Sequence, residues 1–201
     1  MKILILSIAA ITGVLSACDN SASDKKYFNS STAQTTVPNA DSSTKQNLPT
    51  ITTDTATTVS IKEILNSYLQ MKNAFAKDND KSAADAANEM TKAFANFNKT
   101  ALTPAQAKIY NDIADDAKEH AEHIGKNAGN IKHQREHFDM LSKDIYQLVK
   151  TFGGAQKLYY DHCPMFNDGK GANWISETKN IVNPYYGKAM TTCGTVKEEL
   201  K

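Results

Sequence analysis

Along this chain hydrophobic residues recur at helical spacing in four stretches, and the pattern ends at Gly153. Ile61, Ile64, Leu65, Tyr68, Leu69 and Phe75 share one helical face, and Ser60 with Glu63 three residues later forms a capping box predicted to open that helix. A second helix is expected after Asp80, with Ala83, Ala87, Met90, Phe94 and Phe97 turned inward. Thr103 followed by Pro104 and Gln106 repeats the start signal, and Tyr110, Ile113, Ala117, His120 and Ile124 form the inward stripe of a third helix. Gly125 and Gly129 bracket a turn, after which Asn130 can cap a fourth. In it Ile131, Phe138, Ile145 and Phe152 recur every seven residues with Leu141 and Leu148 between them, until Gly153-Gly154 stops the helix. Four amphipathic helices joined by short loops predict an all-α fold, an antiparallel four-helix bundle.

Both flanks break the pattern. From Ala155 onward Gly, Asn, Pro and Tyr dominate, which predicts an irregular C-terminal tail packed on the bundle through Trp174, Ile175, Ile181 and Tyr185. At the other end Lys2 precedes an apolar run from Ile3 to Leu15, too short to span a membrane and of the length of a secretory signal. It closes on Leu15-Ser16-Ala17-Cys18, the shape of a bacterial lipobox, so residues 1–17 are expected to be removed and Cys18 to be lipidated. Residues 18–59 are rich in Ser, Thr, Asn and Asp without hydrophobic periodicity, the composition of a disordered tether with a reach of roughly 35 Å. Residues 60–201 are then one helical domain on the envelope side of a bacterial membrane, either periplasmic or at the outer membrane, held there by its lipid.

Charge narrows the partners. The formal net charge is +1, and loss of residues 1–17 removes one lysine and no acid, which leaves the mature chain neutral. That lacks the basic footprint of a nucleic-acid binder, and export argues against such a partner as well.

Lipidation of Cys18 also resolves an odd cysteine count, because of three cysteines only Cys163 and Cys193 remain to pair. Proline after Cys163 favours an extended backbone there, and alternation along it would put Cys163 and Met165 on one side, with His162 turned away but able to swing in. Met190 and Cys193 stand at i and i+3, which meet on a helical turn. Two thiolates and two thioethers brought together would select Cu(I) over hard cations. The competing reading is a Cys163–Cys193 disulfide, which by closing a loop of about 30 residues would stabilise the fold by roughly 3–4 kcal/mol.

The histidines make a second cluster. His120 and His123 lie near the end of the third predicted helix, and His133 and His137 near the start of the fourth, spaced to share a cation such as Zn²⁺ or Cu²⁺. The plainer alternative is a hydrogen-bonded core histidine at His120 with the others on its flank. His133 to His137 also spells H-x-x-E-H, in which Glu136 would be a general base, but the sequence marks neither an acidic third ligand nor a cleft, so no catalysis is expected.

The stretch "GNIKHQREHFDMLSKDIYQLVK", with "HCPM", "NWIS", "NPYYG" and "MTTCG" behind it, resembles an uncharacterised bacterial domain family common in lipoproteins. That family is similar to a segment appended to periplasmic adaptor proteins of copper/silver efflux pumps. The resemblance implies copper handling, with Cys163, Met165, Met190 and Cys193 as soft-metal ligands, His123 and His137 as secondary ones, and heavy-metal efflux components as partners. The chain lacks the hairpin and barrel regions of the adaptor itself.

Overall fold

A computed structural model describes residues 55–200, which lie within one compact unit. The expected signal peptide, Cys18 and the expected tether up to residue 54 lie outside the described residues. Four helices come first: α1 (Thr55–Ala76), α2 (Asp80–Ala95), α3 (Pro104–Lys126) and α4 (Ile131–Phe152). Consecutive helices pack side by side and α1 also packs on α4, which closes the bundle.

Local signals account for most of the helix ends. Asn79 accepts the Ser82 N–H at 3.0 Å to start α2, and Asn130 accepts that of His133 at 3.3 Å to start α4. At α3 the box is complete: Thr103 Oγ1 accepts the Gln106 N–H, while Gln106 Oε1 accepts the Thr103 N–H at 3.0 Å. Gly153 ends α4 at φ 78°, a conformation glycine adopts without steric cost. The box expected at Ser60 is not a helix start, because α1 already begins at Thr55 and runs through Ser60.

The interior follows the predicted stripes, except that His120 and Ile131 are only half-buried. Tyr68, Phe75, Ala87, Met90, Tyr110, Ala117, Ile124, Phe138, Leu141, Ile145, Leu148 and Phe152 are all buried. Among the described residues no helix is long and apolar enough to cross a membrane.

The tail corrects the all-α expectation. It is ordered as a three-stranded antiparallel sheet of β1 (Leu158–Cys163), β2 (Ala172–Ser176) and β3 (Thr195–Leu200), in the order β2-β1-β3. The glycines and prolines that suggested irregularity sit in the connections, as do the asparagines other than Asn173 of β2. The strands are only five or six residues long, and β1 finds β3 across a long excursion, with Tyr159 opposite Glu199. A shift of register at Tyr160/Asp161 bends the central strand.

Buried polar contacts fix the sheet to the bundle. Tyr68 of α1 shares a 2.7 Å hydrogen bond with Ser142 of α4, and its phenolic oxygen accepts the Ile175 N–H of β2 at 3.1 Å. Lys72, 1 % exposed, bonds Glu177 just past β2 at 2.8 Å. On the opposite edge Tyr146 and Lys150 of α4 both reach Glu198 of β3 at 2.7 Å. Of the expected anchors, Trp174, Ile175 and Tyr185 are buried and Ile181 is half-buried.

Candidate functional site

Two groups of ligand-type side chains stand apart in this fold. The first is built where β1 ends. Cys163 is its last residue, paired with Ala172 and fully buried, and Pro164 opens a turn that carries the chain to Lys170. Cys193 arrives from the long connection between β2 and β3, whose shape is organised by Asn183. That buried side chain donates to the Cys193 carbonyl at 2.6 Å and accepts the N–H groups of Tyr185 at 2.7 Å and Tyr186 at 3.0 Å. The Asn183 N–H in turn donates to Thr191 O at 2.8 Å. An asparagine before proline in "NPYYG" is the sequence signal for such a side-chain-built turn.

The result places Cys163 Sγ 3.4 Å from Cys193 Sγ. Both cysteines are free thiols, Cys163 enclosed and Cys193 part-exposed. The hydrogen bond with Cys163 first, and then burial, pushes the Cys193 thiol above its ordinary pKa. The Cys193 thiol is therefore neutral near pH 7.

The two methionines beside them are exposed. Met165 is 49 % exposed and Met190 39 % exposed. Extended backbone stops at Cys163, so the alternation that would set Met165 beside it does not continue past Pro164. The Met190–Cys193 turn does form, with the Cys193 N–H donating to Met190 O at 3.2 Å, but it leaves the thioether at the surface. His162 is held across the ladder, its Nδ1 2.9 Å from Asn173 Oδ1.

The second group occupies the seam between α3 and α4. The turn at residues 127–130 reverses the chain so that the last turns of α3 face the first turns of α4. Ligand nitrogens of His123, His133 and His137 all lie within 4.8 Å of one another, and neither thiol belongs to this group. His120 joins from one turn deeper, its Nδ1 3.2 Å from Nδ1 of His137. The His123 and His137 rings stack at 4.2 Å, with His133 edge-on to His137 at 4.6 Å. All four are half-buried.

Two carboxylates flank them: Glu119 is 3.8 Å from His123 Nε2, and Glu136 is 3.7 Å from His133 Nδ1. Burial, then repulsion from His123, His133 and His120, lowers the His137 pKa to about 4. Burial also lowers that of His120. These two imidazoles are neutral at pH 7 and present lone pairs.

The H-x-x-E-H match takes on a shape the sequence did not reveal. Its two histidines gain a third nitrogen from His123, not from an acid. Glu136 also borders a cavity of about 390 Å³ lined with Arg135, Phe166, Tyr185 and Tyr186. Helix spacing alone pointed to the four histidines. Glu119, one turn before His123, and the organising Asn183 were missed.

Residues 64–157 match the model of a family described as Protein of unknown function (DUF3347). The match takes in most of the bundle, the histidine seam included, and stops before β1 and the thiol pair. No curated protein and no solved structure matches the chain.

Proposed function

We propose that this chain is a lipid-anchored envelope protein that binds or buffers a soft metal ion, Cu(I) first, through Cys163 and Cys193. The observation that carries the reading is the 3.4 Å approach of two free thiols, one enclosed and one open to solvent. Two metal–sulfur bonds of about 2.3 Å span at most about 4.6 Å, so a small separation of the sulfurs admits one ion between them. A site of two thiolates without further ligands suits Cu(I), which accepts low coordination, better than zinc, which asks for four ligands. The resemblance to a segment of copper/silver efflux adaptors points the same way, and it makes efflux components the proposed partners.

The role is binding and not catalysis. Glu136 sits against the His133 imidazole, a would-be ligand, where a hydrolytic base would face an open coordination position.

The second reading is a structural Cys163–Cys193 disulfide in a non-catalytic interaction module, and the same distance favours it. Competition for Cu(I) against a chromogenic chelator separates the two. Reduced wild-type protein should take one equivalent, and Cys163→Ser/Cys193→Ser should lose it. Equal, weak affinity in both proteins would leave the disulfide reading alone. The anchor is tested separately: Cys18→Ser should abolish palmitate labelling and release the protein from the membrane fraction.

A further inference from the structure

Beyond the thiol pair, we infer that the α3–α4 seam is a second, independent metal centre, in which His123, His133 and His137 bind a borderline divalent cation of the Zn²⁺ or Cu²⁺ class. Three features of the seam carry this.

The ligand nitrogens already converge. Two metal–nitrogen bonds of about 2.1 Å place coordinating nitrogens within about 4.2 Å of each other. Around one tetrahedral ion that spacing is about 3.4 Å, so rotations that draw the three imidazoles, now within 4.8 Å of one another, together by roughly an ångström suffice. Bringing three rings this close without an ion buries no apolar core, since all three are half-exposed on the seam.

The backbone holds them there. His133 and His137 stand one turn apart on α4, whose start is fixed by the Asn130 cap. His123 stands in the last turn of α3, and the Asn127 side chain donates to its carbonyl at 2.8 Å. Gln134, fully buried between the two His-bearing turns, donates both to Ile124 O and to Asp80 O at 3.0 Å, which locks α4 against α3 and α2. A ligand set on two helices joined by such bonds is preorganised.

The surroundings suit a cation. His120 bonds His137 through Nδ1, which leaves Nε2 of His137 for the ion, as an outer partner does in imidazole metal sites. Glu119 and Glu136 lie within 4 Å of His123 and His133 and supply negative charge beside a dication. With three nitrogen ligands and no sulfur, the set favours Zn²⁺ or Cu²⁺ and is poor for Cu(I), so the two centres differ in the ion they take.

The test uses Zn²⁺ alone, because it does not oxidise thiols, on the full chain carrying Cys163→Ser/Cys193→Ser. The outcome is thus independent of whether the thiol pair binds Cu(I). Equilibrium dialysis should find one Zn²⁺ per chain, and adding His123→Asn/His137→Asn should lower the affinity by more than about 100-fold. His162→Asn, at a residue held in the sheet, should leave it unchanged. Should the double histidine variant fail to fold, diethylpyrocarbonate labelling of the parent protein decides instead. Zn²⁺ should protect His123, His133 and His137 and leave His162 reactive. No bound equivalent, an affinity unaffected by the histidine changes, or labelling unaffected by Zn²⁺ would each overturn the inference.

Discussion

The sulfur of Cys163, the last residue of the central strand, lies 3.4 Å from that of Cys193, while both neighbouring methionines remain at the surface. The Cu(I) site proposed above rests on the two thiolates alone. Replacing both Met165 and Met190 with Leu should change Cu(I) affinity by less than about tenfold and stability by well under 1.5 kcal/mol, as near-isosteric swaps at exposed positions do. Chelator competition and urea denaturation measure the two quantities. A loss of affinity as large as that of Cys163→Ser would mean that the thioethers bind the ion after all.

Gly194 sets the approach of the two sulfurs. It sits at φ +146°, and a Cβ there would meet the Trp174 ring at 2.8 Å and the His162 carbonyl at 2.9 Å. Alanine at this position cannot keep both the backbone conformation and the contact. Gly194→Ala should cost on the order of 2–3 kcal/mol and push Cys193 away from Cys163. The readouts are the urea midpoint, followed by Trp174 fluorescence, and the rate of disulfide closure under a mild oxidant. Slower closure together with lower stability is the expected pair.

Arg135 holds the tail from the other side. Its guanidinium donates to Pro184 O, Phe75 O and Asp78 Oδ1, each at 2.7 Å, and Asp78 also accepts the Lys188 N–H at 3.1 Å. Losing these charge-assisted bonds in Arg135→Gln should cost about 3 kcal/mol at pH 7. The hydrogen bond from Arg135 holds the Asp78 carboxyl below its ordinary pKa of 3.8. Its stabilisation is therefore present above that value and is lost as pH falls through the lower folded-state value. Below about pH 4 the gap between wild type and Arg135→Gln should narrow. Denaturation at pH 7 and pH 3 gives the comparison, and a constant gap would rule out the Asp78 link.

The bundle was legible because its signals are local: a cap, a stripe and a stop can each be read within a few residues, as at Thr103 and Gly153. The start of α1 misled for the same reason, since a capping box at Ser60 is locally correct but the helix continues through it. The sheet was not legible. Its strands are short, and their partners, such as His162 with Thr195, are set by a fold-back that Asn183 and Gly194 create. The histidine seam was readable from helix spacing and the short turn, whereas the thioether geometry was not. It depended on how far the strand extended past Cys163, and Pro164 decides that.

The β1 strand also buries a carboxyl group that hydrophobic periodicity does not mark. Asp161 is fully buried, and neither carboxylate oxygen has a hydrogen-bond partner among the protein groups. It stands across from Trp174, at the register shift, where the Lys72 ammonium acts as a compensating charge. Burial raises its pKa from 3.8 to about 7, and Lys72 opposes the shift without cancelling it. Between these two values the folded chain binds a proton that the unfolded chain has released. Asp161 thus makes stability fall as pH rises from about 4 to about 7, with the full penalty present above that. Asp161→Asn keeps the shape and removes the titration. Relative to wild type, the variant should gain more than about 1 kcal/mol on going from pH 5 to pH 8. Asp144, raised to about 6, and His137, lowered to about 4, titrate in both proteins and drop out of the difference. Urea midpoints of the two proteins at pH 5 and pH 8 are the measurement. Parallel pH profiles would show that Asp161 is ionised in the folded state throughout this range, with Lys72 sufficient to hold its charge.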